Sequence, residues 1–535
     1  MAGPETLLEK AAAADAAQAA FEKGSAQAAF EKRSVQAAAA AEAGAARRGA
    51  PVPKAAAVPP PSLYASRVKV QPRSVTGKYR TIKWSVLAFC LAIYYLAPWI
   101  RWDRGPDAPG QALLIDMTAP RAYLFGIEIW PQEVYFITGL LVLGALGLFL
   151  VTSLFGRLWC GYACPQTVWT DLFMLVERWV EGDRGARIRL DKAPMSLNKA
   201  VKRGTKHALW LLIALATGGA WALYFNDAPT FVVDFFTGRA TLIQYFFVGL
   251  FTATTYVLAG WAREQVCTYM CPWPRFQAAM LDDQSMVVTY ERWRGEKRGP
   301  HKAGTGWEGR GDCIDCGQCV AVCPTGIDIR DGLQLECIGC GLCIDACNEI
   351  MAKVGRPRDL ITFDTEARQQ ARARGGEAKW RLLRPRIVIY AVLLALVGAV
   401  MLAALMTRTT VEVNVQRDRA PLFVMLSDGG IRNGYTLKVL NKRREAVDFL
   451  LALKGLPGAQ LLVQDVGVAD DGQSVILHAK PDKVASFRVF VTAAPDGARD
   501  ERREIEFVLT NPVRGEGDAY DAVFVSPHTA GRPRN

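Results

Sequence analysis

Five uncharged apolar stretches punctuate the chain, at roughly Trp84 to Ile100, Val134 to Phe155, Ala208 to Phe225, Leu242 to Trp261 and Ile387 to Met406. Each falls in the range of ~17 to 25 residues that crosses ~30 Å of hydrocarbon, so five transmembrane helices are expected. A sixth stretch, Thr167 to Val180, is shorter and carries Asp171, Glu177 and Arg178. It reads as an amphipathic helix lying at the membrane surface. After the last span the period changes from that of helices to alternation in twos: "VEVNV" at 411, "YTLKVL" at 435, "SFRVFV" at 486 and "EIEFVL" at 504, separated by Gly, Asp, Asn and Pro. Short strands at such spacing predict an all-β immunoglobulin-like sandwich over 408–535.

Composition agrees with a mixed architecture: 535 residues, 51% hydrophobic, with a mean hydropathy of only +0.09. Lys and Arg placement gives an orientation. Between the second and third spans stand Arg157, Arg178, Arg184, Arg187, Arg189, Lys192, Lys199, Lys202, Arg203 and Lys206, whereas the first-to-second connection has Arg101, Arg104 and Arg121 and the third-to-fourth only Arg239. The N-terminus and the 156–207 and 262–386 loops are therefore expected in the cytoplasm of a bacterial inner membrane, and the C-terminal domain in the periplasm. This distribution accounts for the net charge of +12 without a nucleic-acid partner. The first span starts far along the chain and lacks a small-residue cleavage site after it, so it is expected to be retained. Residues 1–66, Ala-rich with a duplicated "AQAAFEK" and a Pro-rich end, read as a disordered or weakly helical tail.

Thirteen cysteines are present and none lies in the C-terminal domain, the reverse of a disulfide scaffold. Cys90, inside the first span, reads as a small packing residue. The strongest motif is "CIDCGQCVAVCP" at 313–324, followed by "CIGCGLCIDAC" at 337–347. Each is C-x2-C-x2-C-x3-C, the two-cluster ferredoxin spacing in which the fourth cysteine of each run serves the other cluster. The rule assigns Cys313, Cys316, Cys319 and Cys347 to one [4Fe-4S] cluster, and Cys337, Cys340, Cys343 and Cys323 to the second. Structural zinc also uses C-x2-C pairs, but two identical four-cysteine runs favour clusters. Asn348 stands where the pattern often has proline.

Four histidines, His207, His301, His478 and His528, with no C-x-x-C-H motif, leave no bis-histidine haem site, and no phosphate-binding G-x4-G-K-[ST] loop exists. The energy currency is electrons. His207 reads as a surface-level polar residue at a helix start. Two further thiol pairs, "WCGYACP" at 159–165 and "VCTYMCP" at 266–272, end the two hairpins formed by the first four spans at matched positions, so they could meet across a pseudo-twofold arrangement. If Cys160 and Cys164 share a helix, their sulfurs lie on one face ~6 Å apart, and Pro165 and Pro272 kink or end the helices. Cys160, Cys164, Cys267 and Cys271 could hold copper as soft thiolate ligands, hold a third cluster, or serve only in packing. The layout is then a tail (1–66), a four-helix membrane domain (67–298), a ferredoxin-like domain (299–360), a linker with the fifth span (361–407) and the outer domain (408–535).

On these residues the chain resembles the FixG/RdxA/CcoG family of cytochrome c oxidase accessory proteins. The segments that carry the resemblance are "RVKVQPRSVTGKYR", "WCGYACPQTVW", "CTYMCPWPRFQ", "CIDCGQCVAVCPTGIDIRDGLQLECIGCGLCIDAC" and "IRNGYTLKVLNK". The resemblance implies a membrane-bound polyferredoxin that reduces Cu(II) to Cu(I) and assists copper delivery to, and assembly of, cbb3-type oxidases, with oxidase subunits or copper-delivery proteins as partners. The C-x3-C-P pairs are more distantly similar to those of NapH- and NosR-type membrane ferredoxins. A quinol-linked ferredoxin without its own copper site, and a non-enzymatic assembly scaffold, are the alternatives.

Overall fold

The computed structural model describes residues 69–527 except 106, 107, 302, 303, 305, 444, 469–471, 482 and 495–500. The expected tail over 1–66 lies outside the described residues. Among the described residues five helices are long and apolar enough to cross a bilayer: Lys78–Trp99, Pro131–Phe155, Leu197–Leu223, Leu242–Ala262 and Pro385–Met406. The second and fifth pack together, as do the third and fourth. Exposed Trp99, Trp102, Tyr135 and Trp221 ring one end of the helices, and Trp159, Trp179, Trp261 and Tyr269 the other, as interfacial aromatics do.

The short stretch after the second span departs from the surface-helix expectation. It forms a helix, Pro165–Glu181, but Asp171, Glu177 and Glu181 on it are buried. Their charges are matched from neighbouring elements. Arg80 Nη1 lies 2.9 Å and Lys83 Nζ 3.8 Å from Asp171 Oδ2; Arg187 Nη1 lies 2.9 Å from Glu177 Oε2 and Arg263 Nη2 2.5 Å from Glu177 Oε1. Lys206 Nζ reaches Glu181 at 3.0 Å. Hydrophobic patterning read these charges as water-facing because it carries no information about cations supplied from elsewhere in the chain. Trp169 Nε1 donates to Thr217 Oγ1 at 2.9 Å and Trp210 Nε1 to Phe173 O at 3.1 Å, fixing the helix against the third span.

The cysteine runs sit in a module closed by a two-stranded antiparallel ladder, Val287–Tyr290 with Ile361–Asp364. Ile329, Ile344, Met351, Leu360 and Ile361 fill its core. The module is fastened to the first span by a helix cap supplied across the junction: Asp345 accepts from Tyr79 N at 3.2 Å and Arg80 N at 2.8 Å. Those are free amides of a helix start, and the helix's own N-cap residue, Gly77, offers no side chain.

At the opposite end of the spans, Val411–Arg417 begins two antiparallel sheets. One has the order Gly467–Val468, Gln460–Val463, Lys483–Ala493, Ile431–Asn441, Val411–Arg417, with Val424–Met425 also on Ile431–Asn441; the other runs Ser474–Ala479, Val447–Lys454, Arg502–Thr510, Gly517–Val525. Tyr435, Leu437, Val439, Phe449, Leu451, Val489, Val491 and Phe507 are fully buried between them. This is an immunoglobulin-like sandwich. It is tied to the start of the second span by Lys442 Nζ, 2.7 Å from Glu133 and 2.5 Å from Glu412. A small three-stranded meander at Leu113–Asp116, Arg121–Leu124 and Ile127–Ile129, between the first two spans, was not foreseen from the sequence, since strands of three or four residues leave little periodicity to read.

Candidate iron-sulfur and thiol site

The two C-x2-C-x2-C runs turn through Gly317 and Gly341, whose φ values of 62° and 72° lie in the left-handed region where a side chain is disfavoured. Gly341 also abuts the Tyr79 ring, which a Cβ would approach to 2.9 Å. Each run then enters a helix, Gln318–Ala321 or Leu342–Lys353. The second helix continues past Cys347, and Asn348 explains why proline is not needed there: its side chain donates to Asp359 Oδ1 at 3.0 Å and accepts from Asp359 N at 2.7 Å.

Among the described residues no group of three or more Cys, His, Asp or Glu side chains closes tightly enough to hold a single metal ion. The cysteines instead ring two cavities. One is lined by Cys323, Cys337, Cys340 and Cys343, with Cys319, Ile327, Ile329 and Ile338. The other is lined by Cys313, Cys316, Cys319 and Cys347, with Ile314, Ile350, Met351 and Ile361. Spread thiols around an apolar hollow suit a cubane, whose corners stand apart, better than one ion. Burial pushes the Cys337 and Cys347 thiols up to about 12 and Cys319 to about 11, and Cys343 well above the usual thiol value. Bare, these thiols hold their protons, and only a bound metal centre would make them thiolates. The first cavity lies against the thiol loops, where Cys160 and Cys267 pack on the cluster containing Cys340; the second, with Cys313 and Cys319 buried, reaches solvent at exposed Cys316.

The C-x3-C-P loops lie against the membrane-side cavity. Cys160 and Cys267 pack on the cluster formed by Val322, Ile338, Cys340, Leu342 and Ala346. Cys160 feels Cys164 and Cys271, and Cys267 feels Cys164, Cys160 and Cys271, so all four thiols of the two pairs come into one neighbourhood. Burial pushes Cys160 up to about 11 and Cys267 to about 12.

Neither pair sits on one continuous α-helix. Cys160 belongs to the short helix Leu158–Tyr162, and Cys164 is the N-cap of the next helix, which begins at Pro165. Cys267 lies in a π-helical segment, Val266–Met270, with Cys271 as its C-cap. Pro165 is the first residue of its helix and Pro272 the N-cap of the helix Trp273–Met280, positions where a missing N–H costs little. Gly161 permits the contact with the cluster module: a Cβ there would stand 2.8 Å from Ile338 O and 3.0 Å from Cys340 Cα. Tyr162 Oη donates to Cys340 O at 3.0 Å, and Cys160 Sγ donates to Gln277 Oε1 at 3.2 Å.

Sequence reasoning missed three groups at this site. Gln277 is fully buried and also bonds Thr152 Oγ1 at 3.3 Å. Arg157, buried, donates to the carbonyls of Leu335, Cys337 (3.1 Å) and Pro274 (2.9 Å), joining the cluster module to both thiol loops. Burial raises the Cys340 thiol, and the Lys83 charge opposes that rise. Arg157 and Lys83 lie outside the quoted segments, and Gln277 ends "CTYMCPWPRFQ" without a ligand-type side chain to mark it. His207 lies within the third span's helix rather than at its start, its Nδ1 2.9 Å from Tyr256 Oη and its ring between Trp210 and Trp261. Cys90 is partly buried within the first span. His301 stacks on Trp307 and His478 pairs with Asp448 on the outer domain; His528 lies outside the described residues.

Residues 262–366 match a 4Fe-4S dicluster domain, residues 137–185 a 4Fe-4S binding domain, and residues 401–527 the IG-like fold at the C-terminal of FixG. The chain is 49% identical over 499 residues to the nitrogen fixation protein FixG of Rhizobium meliloti, covering 88% of this chain and 95% of that one. It is 50% identical to protein RdxA of Cereibacter sphaeroides, covering 88% and 99%. A crystal structure of a FixG-related protein from Vibrio parahaemolyticus matches 22% of this chain and 95% of its own, at 23% identity and a TM-score of 0.19. With iron-sulfur domains, membrane-length apolar helices and relatives matched over nearly their whole length, the chain belongs to the FixG/RdxA family and is a membrane-associated iron-sulfur electron-transfer protein.

Proposed function

We propose that the chain reduces Cu(II) to Cu(I) at the four thiols Cys160, Cys164, Cys267 and Cys271 and so assists copper delivery to, and assembly of, a cbb3-type cytochrome c oxidase. The observation that carries this reading is the packing of Cys160 and Cys267 directly on the Ile338–Cys340 segment. In this reading Cys313, Cys316, Cys319 and Cys347 hold the solvent-side [4Fe-4S] cluster and Cys323, Cys337, Cys340 and Cys343 the membrane-side one. The cysteine-lined apolar cavities support that assignment. The clusters, when bound, supply one-electron relay, their potentials set by charge, hydrogen bonding and exposure.

The chain's own residues do the rest. Gly161 lets the thiol loop touch the cluster module, Tyr162 and Arg157 lock the two together, and Gln277 orients Cys160. Thiolates are soft ligands that select Cu(I), and two such pairs can take it without a preformed cage. Each Cu(II) accepts one electron, supplied through the clusters by an external one-electron donor. Exposed Cys271 and Met270 offer copper an approach. The cluster module and N-terminus are assigned to the cytoplasm and the sandwich to the periplasm, on the Lys and Arg bias.

The match of residues 137–185 to a 4Fe-4S binding domain favours one second reading, a third cluster at the same four thiols. Iron and acid-labile sulfide per chain, together with anaerobic Cu(II) reduction, separate the two. Two clusters with Cu(I) formed in step with their oxidation supports the copper site; three clusters, or no copper chemistry, refutes it.

A further inference from the structure

Burial opposes reduction of an iron-sulfur cluster, because the reduced form carries one more negative charge and low polarity disfavours it. The membrane-side site is the deeper of the two. Burial dominates at its Cys337, Cys340 and Cys343, while the solvent-side site, with Cys313 and Cys319 buried, exposes Cys316. An electron passing inward therefore meets an electrostatic step unless positive charge is placed beside the inner cysteines.

The cations at the two sites differ in what neutralises them. At the solvent-side site Arg330 is paired with Asp328 (2.6 Å) and with Asp315. Arg294 is paired with Glu291 (3.2 Å) and Asp312 (3.0 Å). Their charges are largely cancelled on the spot. At the membrane-side site, Lys83 shares Asp171 with Arg80. Arg157 is different: its contacts are the carbonyls of Leu335, Cys337 and Pro274, and among the described residues it makes no ion pair, Glu336 acting on it only at longer range. Its Nε is buried with no hydrogen-bond partner. A guanidinium held by three carbonyls cannot leave, remains charged, and keeps one donor free beside the cysteine loop.

We propose that Arg157 is the charge that holds the membrane-side cluster's potential within reach of the solvent-side one, so that electrons pass inward to the thiol pairs. This rests on the cluster assignment above and not on copper being the final acceptor. The chain segment supports the role: Arg157 lies three residues before Cys160 and bonds the Cys337 and Pro274 carbonyls, so its charge acts on Cys337 of the inner site and on Cys160 of the thiol pair.

The test is an EPR-monitored potentiometric titration of the purified full chain in detergent, run on the native protein, Arg157→Gln and Arg157→Lys. Cys316→Ser perturbs the solvent-side site and so identifies its couple. Arg157→Gln is expected to shift the other couple downward by at least tenfold in its reduction equilibrium, ~59 mV for one electron, and to leave the Cys316-sensitive couple in place. Arg157→Lys, which keeps the charge, is expected to stay within about threefold of native, the remaining loss reflecting its poorer fork geometry. The proposal is overturned if Arg157→Gln moves both couples equally or neither, or if Arg157→Lys falls as far as Arg157→Gln. Selective lowering in a protein that reduces no copper would uphold the role of Arg157 and refute the copper reading; unchanged potentials with copper reduction lost would do the reverse.

Discussion

The two Cys-x3-Cys-Pro loops share a spelling and differ in almost everything built around it. The first is braced. Cys160 sits in an α-helical turn on the Cys340 segment, Cys164 is the N-cap of the helix that carries buried Asp171 and Glu177, and Tyr162, Gln277 and Arg157 bond across to other elements. The second is open. Cys267 lies in a π-helical turn, Cys271 is exposed, and Tyr269 and Met270 beside it point away from the protein. π-Turns of this sort are rare and gather at functional sites. The difference teaches that an internal repeat need not mean two equal halves: one loop is shaped to meet the cluster module and the other to meet the surroundings.

The largest effect should come from removing the brace. Glu177→Ala leaves Arg187, Arg263 and Lys206 buried without their common partner, and losing one member of a buried ion network costs ~3–5 kcal/mol. Thermal unfolding in detergent should show that loss, with both first-loop thiols becoming alkylatable while the state of Cys271 is unchanged. Burial alone would raise the Glu177 carboxyl, but Arg263, Lys206 and Arg187 hold it below its ordinary value. Its contribution is therefore present above the ordinary carboxylate range and lost as pH falls through the lowered folded value. Acid should loosen the first loop, and neutral or mildly alkaline pH should not.

That brace was also the part least legible in the sequence. The five spans, the cysteine runs and the β-alternation of the outer domain could be read from Val134 to Phe155, from Cys313 to Cys347 and from "SFRVFV", because each pattern is local. The burial of Asp171 and Glu177 depends on Arg80, Lys83, Arg187, Lys206 and Arg263, which converge only after folding. The inequality of the two thiol loops was hidden for the same reason: it resides in Gln277, Arg157 and the π-turn, none of which a seven-residue motif encodes.

A smaller effect is expected at the contact itself. Gly161→Ala puts a methyl within 3 Å of the Ile338–Cys340 backbone, and overpacking of this kind costs ~1–3 kcal/mol. The variant should keep its iron but pass electrons to copper more slowly; the second loop has no equivalent glycine, its Thr268 occupying the matched position, so Thr268→Ala should be nearly silent. Smaller again is Asp345→Ala, which removes the cap on the first span and should cost ~1 kcal/mol, the usual value of a lost N-cap. Hydrogen exchange at Tyr79 and Arg80 should rise while the outer domain stays protected. The mildest probe is limited maleimide labelling of the metal-free chain, in which, of the four loop thiols, exposed Cys271 should react well ahead of Cys160; equal rates would erase the distinction between the loops.

The most direct measurement is anaerobic Cu(II) reduction by the purified, pre-reduced full chain, followed with a Cu(I)-specific chelator, comparing native protein with Cys160→Ala/Cys164→Ala. The account predicts Cu(I) appearing in step with cluster oxidation in the native chain, and a variant that retains its clusters and loses the reaction. Equal reduction by both proteins, or none by the native one, would contradict it.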